Sequence, residues 1–98
     1  MTYRAPISDM LLALDGAGLR AAAEAGHYGD FDAEITPAVL EEAGRFASEV
    51  LAPLNRAGDR HGARLQDGRV TTAPGWVDAY RRWTAAGWNA VSGPEDFG

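Results

Sequence analysis

The chain has 98 residues, with 9 Lys+Arg against 14 Asp+Glu and a formal charge of -5, and it reads as one small acidic unit rather than several domains. Its 26 apolar side chains larger than a methyl group, left once 19 Ala are set aside, make a thin core for a length that buries only about two-thirds of its unfolded surface. The nine Arg, spread from Arg4 to Arg82 with no Lys and no run to track phosphates, exclude nucleic acid, while zero Cys removes disulfides, thiolate metal sites and a Cys nucleophile and fits a reducing, cytoplasmic location.

The periodicity predicts an all-α unit of about three main helices and a short Asp-Gly hairpin-like turn, a single helical domain over residues 1–98. No apolar run approaches the ~20 residues that span a bilayer, and no signal core follows the start, so no membrane is expected. The first helix opens at Ser8 as N-cap, with Asp9 in its first turn and Ile7, Met10, Leu11 and Leu14 at helical spacing. Gly16 and Gly18 interrupt it. A short Ala-rich piece, Leu19 to Ala25, then stops at Gly26, a natural C′ residue.

The strongest helix is expected to begin with Thr36 as cap and Pro37 at its first position. Val39, Leu40, Ala43, Phe46, Ala47, Val50, Leu51 and Leu54 form its apolar stripe, and Glu41, Arg45 and Glu49 its solvated face. Pro53 deletes the bond to the Glu49 carbonyl, so a kink or a stop is expected there, with irregular chain beyond it through Gly58 and Gly62. Leu65 to Val70 places Asp67-Gly68 between two short flanks, a tight hairpin-like turn without a real sheet. A third main helix starts at Thr72 or Ala73 with Pro74, carries Trp76, Val77, Tyr80 and Trp83 on one side, and closes at Gly87. The tail from Ser92 is turn chemistry throughout and reads as an interrupted fold.

Candidate chemistry is sparse. Asp30, Asp32, Glu34 and Glu41 fall on positions 1, 3, 5 and 12 of a calcium loop, but the Gly position is Ile35 and Pro37 starts a helix, so an acidic linker is the better reading. His27 and His61 lack helix-borne partner spacing, and Asp59 beside Arg60-His61 does not make an acid–base pair, because adjacent loop residues seldom face one another. Ser8, Ser48 and Ser92 sit in no nucleophile elbow, and Gly16-Ala17-Gly18 lacks the rest of a dinucleotide fingerprint. No catalytic, cofactor-binding or metal residue is therefore assigned. Trp76, Tyr80, Trp83 and Trp88 are too many large rings for so small a unit to cover, which marks a packing interface.

Several blocks in order resemble the N-terminal segment of the acyl-CoA dehydrogenase family, in the longer bacterial branch of 3-methylmercaptopropionyl-CoA dehydrogenase-like proteins. They are Tyr3 to Met10, Glu42 to Ala47, Val50 to Asp59 with Gly62, Leu65 to Val70, Pro74-Gly75-Trp76 with Ala79-Tyr80, Gly87-Trp88, and Pro94 to Gly98. The linker Gly16 to Asp32 follows the family only loosely. The resemblance implies an N-terminal helical domain followed by a β domain and a helical bundle, with FAD held by the latter two. It also implies an oxidoreductase of fatty-acid metabolism, in which a Glu base takes the α proton of an acyl-CoA and the β hydride passes to flavin. That base and those flavin contacts lie downstream of Gly98. The chain alone is expected to be inactive, to hold no cofactor, and to pack against the remainder of such an enzyme or self-associate with another copy. The rival expectation is a stand-alone helical interaction module, or a split subunit docking on a catalytic chain.

Overall fold

The computed structural model describes residues 2–97, with the side chain of Phe97 left aside, and it is mostly helical with one minimal hairpin. Contacts group it into two compact units, Met1–Glu49 and Val50–Gly98.

In the first unit, α1 spans Ile7–Gly16 and α2 spans Leu19–Glu24. Ser8 is not the cap of α1: Pro6 takes that place, its carbonyl accepting from the Met10 N–H at 3.0 Å, and Ser8 is the second helical residue. Proline serves here because its ring already holds φ near the helical value. Past α2, the His27 N–H reaches the Ala22 carbonyl (3.1 Å) and the Gly26 N–H the Ala23 carbonyl (3.0 Å), the paired bonds of a Schellman motif with Gly26 at C′, as expected.

Entry into α3, Thr36–Phe46, differs from expectation. A 3₁₀ turn at Ala33–Ile35 precedes it, and the Asp32 carboxylate caps that turn by accepting the Glu34 N–H at 2.9 Å. Thr36 becomes the first helical residue; it is buried, and its hydroxyl has no hydrogen-bond partner. Asp32 displaces it as cap because the extra turn moves the orphan N–H groups upstream, where a carboxylate also meets the positive end of the helix. α1 packs on α3 at Gly44, where a Cβ would come within 3.1 Å of Ala5 Cβ and 3.3 Å of Ile7 Cδ1. The solvated face of α3 is present, with Arg45 pairing Glu42 at 3.1 Å rather than Glu41.

A five-residue π-helical segment, Ala47–Leu51, follows, and α4 runs from Ala52 to His61. Pro53 therefore neither stops the helix nor leaves irregular chain behind it. Its ring would clash with the carbonyl four residues back, and the wider ladder upstream opens space for it. Pro53→Ala should accordingly keep or slightly raise the helical ellipticity at 222 nm, since the N–H it restores can rejoin the ladder. A marked loss of helix would show that the break is a required turn.

In the second unit, β1 (Arg64–Gln66) pairs antiparallel with β2 (Arg69–Thr71), Leu65 opposite Val70. Asp67 and Gly68 both have positive φ, 52° and 77°, which defines a type I′ turn whose twist suits the strands and supports a short true ladder. α5 spans Trp76–Ala85, starting later than Thr72 or Ala73. The delay comes from Pro74-Gly75. With Gly75 at φ 89° and the Trp76 N–H bonded to the Ala73 carbonyl at 3.2 Å, they form a type II turn that delivers the chain to the helix. α5 closes at Gly87 as expected, and 3₁₀ turns follow at Trp88–Ala90 and Glu95–Phe97.

Burial is shallow throughout. The apolar residues counted as buried are Ala33, Ala73 and Ala79, and no large side chain among the described residues is completely enclosed.

Candidate functional site

A concavity lies between α4 and α5, a groove of about 430 Å³ lined by Leu51, Leu54, Asn55, Trp76, Ala79, Tyr80 and Trp83. The α5 residues recur at three- and four-residue spacing, so one face of that helix supplies a whole wall. Ala79 is buried between the helices, while Tyr80 and Trp76 remain 65% and 46% exposed. The opposite wall comes from α4, where Gly58 permits a close approach: a Cβ there would come within 2.8 Å of Trp76 Cε2 and 2.9 Å of its Nε1. The same indole N–H donates to the Leu54 carbonyl at 3.4 Å, a long bond that orients the ring. Trp88 stacks on Trp83, ring centroids 6.2 Å apart and planes inclined by 29°.

Of the four aromatics singled out in the sequence, the structure thus brings Trp76, Tyr80 and Trp83 to one groove and sets Trp88 against Trp83. Leu51, Leu54, Asn55 and Ala79 complete the groove and are not part of that set. The stripe containing Leu51 and Leu54 was visible, but only a continued helix past Pro53 turns it toward α5.

The acidic linker is engaged in local structure. Asp32 caps the 3₁₀ turn, and Glu34 pairs with Arg20 at 2.7 Å, a hydrogen bond reinforced by charge that holds the Arg20 guanidinium above its ordinary pKa. His61 Nδ1 donates to the Gly62 carbonyl oxygen at 2.9 Å. Among the described residues no three His, Asp or Glu side chains converge as metal ligands, and no helix is long and apolar enough to cross a membrane. The residues present also do not fit FAD. Apart from Asn55, the Tyr80 hydroxyl and the indole N–H groups the groove lining is apolar, and Gly16-Ala17-Gly18 runs from the end of α1 to the start of the short α2 with no strand before it, so among the described residues nothing cradles a pyrophosphate.

No protein-family model matches the chain. Over its whole length, however, it is similar to the N-terminal part of an acyl-CoA dehydrogenase. That relative is the 3-methylmercaptopropionyl-CoA dehydrogenase of Ruegeria pomeroyi, 38% identical over 99 aligned residues that cover 100% of this chain and 17% of the relative. The helical fold expected from the resemblance is the fold observed.

Proposed function

We propose that this chain is the N-terminal helical part of an FAD-dependent, cytoplasmic acyl-CoA dehydrogenase, contributing structure rather than catalytic groups to the α,β-dehydrogenation of an acyl-CoA thioester. The observation that carries this reading is identity of 38% along the entire chain to the N-terminal part of one such enzyme. Shallow burial supports it, because helices with no enclosed large side chain need a further surface to pack on. What this chain does in the reaction is hold one wall of the acyl-CoA cleft in place.

A chimera tests the proposal: the matched N-terminal part of the Ruegeria relative is replaced by this chain. The chimera is expected to purify yellow, retain FAD through gel filtration, and oxidise 3-methylmercaptopropionyl-CoA in the presence of an electron acceptor. The chain alone, mixed with FAD and filtered in the same way, should emerge colourless and show no turnover. A chimera that folds without flavin, or a lone chain that keeps stoichiometric flavin, overturns the reading.

A further inference from the structure

The buried residues of the first unit, among those described, are Ala33 and Thr36, and Thr36 is only 8% exposed. Its hydroxyl makes no hydrogen bond to any protein group. A helical threonine usually reaches a carbonyl three or four residues back, but here Ala33 already accepts the Thr36 N–H and Asp32 the Ile35 N–H, the latter at 3.2 Å. Capping does not use the hydroxyl either, because the Asp32 carboxylate performs it. A buried hydroxyl without a partner destabilises a fold, and valine would fill the same space with no polar atom to satisfy. The group therefore points to a ligand.

Thr36 lines a pocket of about 80 Å³ at the start of α3, walled in part by Leu11, Leu14 and Leu19, with Asp15 and Arg20 as its other polar members. We propose that this pocket is a hydration site, in which an ordered water bridges the Thr36 hydroxyl on α3 to the Asp15 carboxylate at the end of α1.

Volume and charge select that ligand. A water takes about 30 Å³ in the liquid, so the pocket admits about two or three, whereas organic ligands occupy clefts of roughly 300 Å³ or more. An anion would face Asp15, with the Arg20 guanidinium already held by Glu34 at 2.7 Å. A cation would face Arg20 and the positive end of α3. A neutral molecule that both donates and accepts suits Thr36, Asp15 and Arg20 together, and a bound water needs about two to four such partners. The bridge ties the start of α3 to the end of α1, in a unit whose other buried residue is an alanine.

Millisecond hydrogen exchange of the full 98-residue chain, read over residues 33–40, tests the proposal. Thr36→Val keeps the side-chain shape and nearly the same helix propensity, so it removes little besides the hydroxyl. It is expected to speed exchange there roughly two- to tenfold, as the loss of one hydrogen bond does, and to leave α5 in the other unit unchanged. In an Asp15→Ala background the same substitution should have a distinctly smaller effect, because one water serves both groups. Unchanged or slower exchange in Thr36→Val means that valine suits the leucine walls better than a hydroxyl does, and it overturns the proposal. An effect of Thr36→Val that Asp15→Ala does not diminish overturns it too. So does a wild-type chain without protection at residues 33–40, since a held water requires the pocket to stay closed. None of these outcomes bears on the function proposed above.

Discussion

In urea the isolated chain is expected to lose its helical ellipticity gradually, without a sigmoidal transition. Cooperative unfolding needs side chains that become buried together, and fully burying one Leu or Phe contributes about 1.5–3 kcal/mol whereas an Ala methyl contributes far less. Among the described residues the buried apolar ones are three alanines, and no large side chain is completely enclosed. The helices cannot compensate singly. α1, α4 and α5 have 10 residues each, below the ~12–15 at which isolated helices become even marginal in water. The two-stranded hairpin, exposed along both strands, adds little. A steep transition with an m-value of about 1 kcal/mol/M or more would show that the chain closes a core of its own, and the packing role proposed for it would lose its physical basis.

Elements whose signals are local could be read directly. Gly26 ends α2 through backbone bonds within six residues, and Asp67-Gly68 specifies its turn by the two positive φ values it alone tolerates there. The stripe from Val39 to Phe46 needs only the helical period. Where the reading departed from the structure, two local signals competed or a distant residue intervened. Thr36 and Asp32 are both good caps, and the 3₁₀ turn between them decides for Asp32. Gly58 argues against a helix by propensity, yet α4 passes through it because the indole of Trp76, eighteen positions later, needs the missing Cβ. That same contact explains why half of the groove was visible. The α5 wall follows from periodicity within one helix, whereas the α4 wall depends on a helix whose support comes from outside itself.

Gly75→Ala should be among the most damaging single-methyl changes available in the second unit. Gly75 holds φ 89° in the type II turn, where an added Cβ is strained by about 1–2 kcal/mol. Space is lacking as well, since that Cβ would come within 2.8 Å of Leu54 Cδ2, and overpacking adds typically about 1–3 kcal/mol. Leu54 can yield only by moving into the groove that it lines and by shifting the backbone whose carbonyl receives the Trp76 indole. Two further variants separate backbone strain from lack of space. Gly18→Ala places a methyl at φ 90° with nothing within 4 Å, so it reports backbone strain alone. Gly58→Ala places one inside a helix against three atoms of the rigid Trp76 indole, a tighter clash than at Gly75 that a propensity gain of about 1 kcal/mol offsets only in part. The temperature at which the chimera releases its flavin should therefore fall distinctly more for Gly75→Ala and Gly58→Ala than for Gly18→Ala. Equal losses for Gly75→Ala and Gly18→Ala would mean that Leu54 is not held against the turn and does not wall the groove.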